Sequence, residues 1–546
     1  MPLPNGGGPW PPRELDLVSA RLDVWSAWYS GDPDRLSFLY GGSLAGDPGR
    51  PIGYPQPSTR GLRGWLGRLA SRWFWGTQTP ENEKRTKLHL PLAGDIAATS
   101  ADLLFSEPPT FALADDASDA TKKAVDDLIA DGLHADLLEA GEVCAGLGGV
   151  YLRNCWDDGA DPIRDRPWIS AVHADCAVPT WRYGRLEAVT FWQVVKRDGN
   201  EVWRHLERHE RGVILHGLYK GSEGDLGRKQ PLAAHPATAG LRDTVDTGIS
   251  DGLTAGYVPN MRPARVWRDV PEGAHLGRAD IAGQEGLMDA LDETFSSLMR
   301  DIRLGKGRVF VPETMLQSQG RGQGATFDAE QEFLYPVQAL MSTNPQGGLP
   351  IMAQQFAIRV TEHLQSAQAL QDQIVRGAGY SAQTFGNVDG EGQMAQTATE
   401  VDSRDRRSDI TRDRKTMYWI PELAERVRVH LALCEAKFHD SVTPERPTVE
   451  FGDRVSETPA SLAQTAQLLR AAEAASTETL VAMVHPDWDE PQVTEEVERI
   501  RGESAPAELT APGPADGMGA AGPGAPDDGQ GGQAEMDAAF DALEGA

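Results

Sequence analysis

The strongest constraint on the fold is a change of apolar period in the second half of the chain. From Ile281 to Arg303 apolar side chains recur at Leu287, Leu291, Phe295, Leu298 and Ile302, spaced by four, four, three and four. That spacing predicts a long amphipathic helix. The pattern then breaks. Gly305-Lys-Gly-Arg-Val-Phe-Val-Pro and Gln331-Glu-Phe-Leu-Tyr-Pro read as short strands around a glycine-rich loop. A second helical stripe starts near Ala353 and carries Phe356, Val360, Leu364, Ala367, Leu370 and Ile374. Two helices therefore flank a β-rich excursion of about fifty residues, long enough to be a small subdomain.

The first half is built differently. Residues 1–12 form a Pro/Gly arm, Arg13 to Tyr29 predicts a helix, and Gly31 to Arg60 reads as loop. The stretch Arg60 to Trp75 is basic and Trp-rich, but three glycines break any helical face, which favours a structural or subunit-contact role over a membrane or nucleic-acid one. A short strand at Leu88, a helix from about Ala93 to Pro108 and a second helix from Thr121 to Gly146 follow. Period-two or continuous apolar segments then predict strands at 150–155, 168–172, 188–195, 201–210 and 213–219. Helices followed by a run of antiparallel strands define an α+β domain. Residues 221–250 read as an exposed insertion.

After the second of these helices comes a glycine-rich loop, Gly377 to Gln393, and then a longer helix from Thr397 to about Phe438. Between Glu400 and Lys415 this helix carries six basic and five acidic residues, including Glu400–Arg404 and Asp402–Arg406 at i,i+4, the pattern of an exposed or subunit-facing helix. Pro421 is expected to kink or split it. Pro447-Thr-Val-Glu-Phe predicts a strand returning to the first domain's sheet. Helical stretches follow at Ala460 to Val484 and Pro491 to Arg501. Beyond Gly502 the Ala/Gly/Pro/acid composition cannot bury a core and predicts a disordered tail. Within that tail Met536, Phe540 and Leu543 are spaced like a short docking stripe, with fraying the simpler expectation.

Charge and motifs narrow the function. Lys+Arg total 52 against Asp+Glu 81, a formal −29 over 546 residues. Affinity for phosphate backbones comes from Lys and Arg displacing counterions, so such a chain is a poor general grip on nucleic acid. No apolar run approaches the ~18–20 residues that span a bilayer, and the N-terminus lacks a charged and apolar leader pattern. A cytoplasm, or a particle assembled in one, is the expected compartment. Cys144, Cys155, Cys176 and Cys434 form no CxxC pair and read as small buried hydrophobes. There is no GxxxxGK[ST], no HExxH, and no metal-ligand clustering of histidines with carboxylates. Gly320-Arg-Gly-Gln-Gly-Ala reads as a hairpin tip rather than a nucleotide loop. Gly248-Ile-Ser-Asp-Gly252 fits the nucleophile-elbow pattern of serine hydrolases, yet no helix follows it and no alternating βα pattern surrounds it. The adjacent carboxylates Asp126-Asp127 and Asp157-Asp158 do not converge on one point. No catalytic residue, metal or cofactor is expected.

The order helix, β excursion, returning helix, glycine-rich loop and long helix resembles the core of portal proteins of long-tailed bacteriophages. Thr99-Ser-Ala-Asp-Leu-Leu-Phe-Ser-Glu-Pro-Pro109 is similar to a Leu-Phe-x-Glu-Pro segment of such portals. Gly379-Tyr-Ser-Ala-Gln-Thr-Phe-Gly386 and Gln396-Thr-Ala-Thr-Glu-Val401 resemble tunnel-loop and following-helix segments of portals from phages of actinobacteria. The resemblance covers roughly residues 85–485. It implies an α+β portal-type subunit: an N-terminal arm and first helix (1–60), an α/β wing (61–276), stem helices at 277–304 and 353–376, and a small β-rich clip between them (305–352). A channel loop (377–395), a long wing helix with its returning strand (396–456), crown helices (457–501) and the acidic tail (502–546) complete it.

By the same resemblance the channel loop presents Gly379, Tyr380, Ser381, Gln383, Thr384, Phe385, Gly386 and Asn387. The clip presents Lys306, Arg308, Arg321 and Gln323 to the large terminase subunit and to head-completion or adaptor proteins. The implied partners also include further copies of the chain in a ring of about twelve, the major capsid and scaffolding proteins, and double-stranded DNA that passes without sequence recognition. The implied place is a vertex of the virion. Another oligomeric virion component, or a serine hydrolase acting through Gly248–Gly252, is the alternative.

Overall fold

A computed structural model describes residues 3–41, 74–76, 87–157, 164–305, 308–312, 334–337, 352–354, 358–385, 398–452, 459–472, 474–485, 488 and 490–504. The chain divides into two compact units, Met1–Arg454 and Val455–Ala546.

The first unit opens with a 3-10 turn (Arg13–Leu15) running into helix α1 (Asp16–Ser30), as the sequence predicts. A second helix, α2 (Pro33–Gly41), replaces the first part of the loop expected at 31–60; residues 42–60 lie outside the described residues. The reason is local. The Asp32 carboxylate accepts the Asp34 N–H at 2.9 Å, Pro33 sits at the first helical position, and Leu36 and Tyr40, four apart, are buried. Trp28 then donates its indole N–H to the Tyr40 hydroxyl at 2.8 Å.

Helix α3 (Leu92–Phe105) buries Ile96, Leu103, Leu104 and Phe105. The strand expected at Leu88 does not form; the nearest strand in sequence among the described residues is β1 (Thr110–Ala112), beyond α3. Helix α4 (Asp119–Leu128) is capped by Ser118, whose hydroxyl accepts the Thr121 N–H at 3.2 Å. A π-type turn (Ile129–Leu133) separates it from α5 (His134–Leu147), because Gly132 adopts a left-handed φ of 100°. The single helix expected over 121–146 is thus interrupted.

Strands β2 (Gly149–Cys155) and β3 (Trp168–His173) follow, then an antiparallel run: β4 (Ala177–Arg182), β5 (Arg185–Asp198), β6 (Glu201–Glu210), β7 (Val213–Ser222) and β8 (Asp225–Gln230). β9 (Thr244–Asp246) also pairs with β7, and β10 (Ala255–Pro259) joins β2 and β3 in a separate sheet ordered β10-β2-β3. Residues 221–250 are therefore not a free insertion. They supply two strands of the large sheet and bury Leu226, Leu232 and Ile249. An edge strand with one wet face reads as polar, and Gly-Arg-Lys-Gln hides the single inward Leu226. The N-terminal arm covers this edge: Gly6 and Pro9 bridge to Arg228 and Asp225, and Leu3 and Trp10 pack on Leu206, Tyr219 and Leu226.

A buried polar cluster ties the sheets together. His205, Glu207 and His209 alternate along β6, with His216 of β7 beside them. Glu207 accepts from Arg153 of β2 at 2.7 Å and from His209 at 2.8 Å, while His209 reaches Thr254 at 2.7 Å. His205 and His216 stack and lie 3.2 Å apart at their ring nitrogens. Burial pushes the His205 imidazole down to about 4 and lowers His209 and His216 as well. Burial works against the Glu207 carboxylate, yet Arg153 and the His209 hydrogen bond hold its pKa well below the usual range.

Helix α6 (Glu285–Leu304) bears out the long amphipathic helix. Beyond it a three-stranded sheet is ordered β12-β11-β13, from β11 (Arg308–Pro312), β12 (Leu334–Val337) and β13 (Met352–Gln354). β11 runs parallel to β12 and antiparallel to β13. β13 was not foreseen, and the returning helix α7 (Val360–Ala378) begins seven residues later than Ala353 suggests. A strand of three residues carries too little periodicity to be told from a helix start.

The long helix α8 (Ala398–Phe438) is not split at Pro421. Pro421 and Met417 are both exposed, so water can satisfy the carbonyl that loses its donor. Farther along, Trp419, Leu423, Val427 and Leu431 enter the main core, with Phe105 edge-on to Trp419 at 4.9 Å. The returning strand β14 (Thr448–Glu450) pairs with β1 in a separate two-stranded ribbon rather than in the large sheet.

The second unit contains α9 (Pro459–Ala471), α10 (Thr477–Val484) and α11 (Glu490–Ser504). The helix expected over 460–484 is divided where Ser476 caps α10, and Val481, Val493 and Val497 pack together. The tail with Met536, Phe540 and Leu543 lies outside the described residues. The four cysteines are free thiols, with Cys144 and Cys434 buried. No helix among the described residues is long and apolar enough to cross a membrane.

Candidate channel-loop base and stem

The base of the glycine-rich loop is held by one face of α8. Gly379 ends α7 in a left-handed conformation (φ 107°), with its N–H donating back to the Val375 and Arg376 carbonyls and the Tyr380 N–H donating to Val375. That reversal turns Tyr380 inward, where it is 1% exposed. Its hydroxyl donates to Asp280 Oδ2 at 2.7 Å. Lys415 of α8 donates to the same oxygen at 2.7 Å, to the Tyr380 oxygen at 2.9 Å and to Ser100 of α3 at 2.5 Å. Asn260 donates to the other Asp280 oxygen at 2.8 Å. Burial and the neighbouring Asp280 charge raise the Tyr380 pKa well above its ordinary value, which keeps it a neutral donor.

Two further residues on the same face of α8 hold the turn. Ser408 accepts the Ser381 N–H at 2.9 Å and lies 2.8 Å from the Thr384 hydroxyl, and Thr411 donates to the Gly379 carbonyl at 2.6 Å. Positions 408, 411 and 415 fall on one helical stripe. The charged stretch read as exposed or subunit-facing thus contains an inward side that the high charge content conceals. Arg412 is drawn in as well, donating to the Leu103 carbonyl at 2.8 Å and to the Gly452 carbonyl. The Glu400–Arg404 and Asp402–Arg406 pairs lie outside the described side chains.

Of the residues expected in a channel loop, Gly379, Tyr380, Ser381, Gln383, Thr384 and Phe385 form this anchored base. Gly386 and Asn387 lie outside the described residues. Gln383 and Phe385 are half-buried in a short 3-10 turn. Of the clip residues, Arg308 starts β11, whereas Lys306, Arg321 and Gln323 lie outside the described residues. Ser250, in the hydrolase-like pentapeptide, is exposed in the loop between β9 and β10, with no helix following it.

The sequence reading missed how α6 is seated. Glu285, Asp289, Asp292 and Ser296, spaced four, three and four, form a buried polar stripe beside the apolar one. Asp289 accepts the Phe74 and Trp75 backbone N–H groups at 2.8 and 3.3 Å. Asp292 accepts the Trp75 indole N–H at 2.9 Å and the Leu90 N–H at 2.9 Å, and meets His89 Nδ1 at 2.7 Å. Ser296 accepts the Leu88 N–H at 2.9 Å, and Glu285 accepts from the Trp25 indole at 3.2 Å. The N–H groups expected in a strand at Leu88 are satisfied here instead. Phe74 and Trp75 are buried, in accord with a structural role for that end of the Trp-rich stretch. At the other end of α6, Asp301 pairs with His363 at 3.1 Å and Arg359 at 3.5 Å across the helix pair.

Residues 264–508, somewhat under half of the chain, match the family model described as "Phage portal protein, SPP1 Gp6-like". The matched region takes in α6, the β11–β13 sheet, α7, α8 and the helices of the second unit. Among solved structures the chain is similar to "Neck of native GTA particle computed with C12 symmetry", at 12% identity, covering 80% of this chain and 95% of that one, with a TM-score of 0.36. It is also similar to "Neck of empty GTA particle computed with C6 symmetry", at 12% identity and the same coverage, with a TM-score of 0.37. No curated protein matches the chain.

Proposed function

We propose that this chain is the subunit of a phage portal: a ring at one capsid vertex through which DNA is packaged and ejected, and on which terminase and head-completion proteins assemble. The observation that carries the reading is the portal-family match over 264–508, which spans α6, the β11–β13 sheet, α7, the loop and α8. In this reading α6 and α7 are the stem, 305–352 is the clip and 377–395 is the channel loop. The six-stranded sheet with α3–α5 belongs to the wing, and α9–α11 form the crown. The ring number implied by the family resemblance is about twelve, and the loop segments resemble portals of actinobacterial phages.

The chemistry of the chain supports a conduit rather than a grip. DNA held by many cations would stick, whereas an acidic subunit presents few counterion-releasing contacts. Partners in this reading are other copies of the chain, the large terminase subunit, head-completion or adaptor proteins, major capsid and scaffolding proteins, and DNA in transit. Negative-stain imaging with native mass measurement of the purified chain tests it. Closed rings of about twelve copies are expected; monomers or dimers at micromolar concentration refute it.

A further inference from the structure

The hairpin joining β4 to β5 ends in Arg182-Tyr183-Gly184-Arg185, with Arg182 and Arg185 as the last cross-strand pair. Tyr183 is 95% exposed, the most exposed of the large hydrophobic side chains among the described residues. It sits at φ 49°, followed by Gly184 at φ 76°, the two left-handed positions of a tight hairpin turn. Asn or Gly normally takes the first of these, because a side chain there is strained. The Arg182 guanidinium stands over the Tyr183 ring at 5.7 Å and pairs with Glu187 at 3.3 Å, whereas Arg185 has no ion pair among the described residues, so the tip keeps a net positive charge. An aromatic ring held out by a strained backbone between two arginines has the composition of a binding anchor, since Tyr and Arg dominate interface hot spots.

The same unit carries the complement. Between Asp115 and Glu139 there are eight acidic residues and two lysines. Lys123 and Arg166 take up Asp127, and Arg164 approaches Asp131 at 3.9 Å. Asp115, Asp116, Asp119 and Asp126 are exposed without an ion pair among the described residues, and Ile129 beside them is 37% exposed. No described ion pair joins the hairpin tip to this face within one subunit.

We propose that Tyr183, flanked by Arg182 and Arg185, docks on the acidic α4 face of an adjacent copy. This rests on the portal reading, which requires the chain to self-assemble. Charge complementarity selects a second copy: a chain of net −29 repels itself in general, and a basic tip meeting an unpaired acidic face is where that repulsion reverses. Two arginines release too few counterions to make the tip a nucleic-acid grip. Two different patches meeting head to tail form a heterologous contact, the kind that closes into a ring.

The test uses the full chain. Tyr183→Gly relieves the backbone strain while removing the anchor, so thermal stability should be kept or raised. The concentration for half-assembly, read by analytical ultracentrifugation, should rise roughly tenfold or more. Arg182→Glu with Arg185→Glu should weaken assembly further, and so should Asp116→Lys with Asp126→Lys. All four changes in one chain should restore it, because each tip again meets an opposite face. Wild-type rings together with unchanged assembly of the folded variants, or no rescue by the fourfold swap, overturn the contact and leave the portal reading standing. A wild-type chain that stays monomeric overturns both. Tip variants that lose DNA retention but assemble normally assign the tip to nucleic acid and also overturn it.

Discussion

Replacing Lys415 with Met is expected to loosen the anchored turn at 379–385 more than it destabilises the protein as a whole. Lys415 and Asp280 are both about 1% exposed, and the ammonium makes three hydrogen bonds, to Asp280, Tyr380 and Ser100. Methionine fills similar volume but leaves a buried carboxylate facing only the Tyr380 hydroxyl and Asn260. Breaking one side of a buried pair commonly costs about 3–5 kcal/mol. The two remaining donors to Asp280 place this site at the lower end, about 3 kcal/mol.

For a unit of this size, with roughly 2.1 cal/mol/K of unfolding entropy per residue, that loss lowers the melting midpoint by only about 3 °C. Local opening is the sharper assay. If residues 380–385 open independently of global unfolding, the same loss speeds their amide exchange by about a hundredfold. Lys415→Met combined with Asp280→Asn removes the orphaned charge and should recover part of both effects. Exchange at 380–385 within threefold of wild type, with a midpoint shift under about 1 °C, would show that the pair does not hold the loop.

Further predictions follow from other buried polar groups and from the arm. His205 is buried with its pKa at about 4, below the ordinary 6.5, so the unfolded chain binds the extra proton first and stability falls as pH drops from about 6.5 toward 4. The loss is about 3 kcal/mol from this group, His209 and His216 act in the same direction, and His205→Gln should flatten the melting curve over that window. Asp292→Ala orphans the Trp75 indole, the Leu90 N–H and His89 together, and should lower stability by about 3 kcal/mol or more, measured by thermal melting, with no loss if water replaces the carboxylate. Deleting residues 1–12 uncovers Leu206, Tyr219 and Leu226 and frees the edge of β8. Aggregation above wild type in a light-scattering ramp is expected, and unchanged scattering would mean the arm is dispensable.

What the sequence revealed depended on how many residues repeat a pattern. The helices α1, α6 and α8 and the strands β2, β3 and β5–β7 are long enough for their periods to declare them. α2 escaped because glycine and proline around it signal loop, although Asp32-Pro33 is a helix start in itself. β8 escaped because a sheet edge with one wet face looks like polar linker, and its partner, the N-terminal arm, lies some 220 residues away in sequence. The resemblance implies a channel loop at 377–395 but says nothing of how its first residues are anchored. Lys415 lies among charged neighbours, and only the spacing of Ser408, Thr411 and Lys415 hinted that one side of that helix is buried.

In the portal reading, the seating of α6 bears on what the net charge means. Glu285, Asp289 and Asp292 carry three of the acidic charges of α6, yet all three are buried and aimed at N–H donors of the 74–90 segment and Trp25. Burial raises the Asp289 pKa, and the Phe74 and Trp75 N–H groups work against that rise. Part of the acidity in the formal count of −29 is therefore structural, tied to N–H donors rather than displayed on the surface of this helix. The exposed end of α6 instead carries Arg300 and Arg303 with Asp301. In the portal reading, low friction would then arise from a near-balance of charge along the stem rather than from a uniformly negative wall.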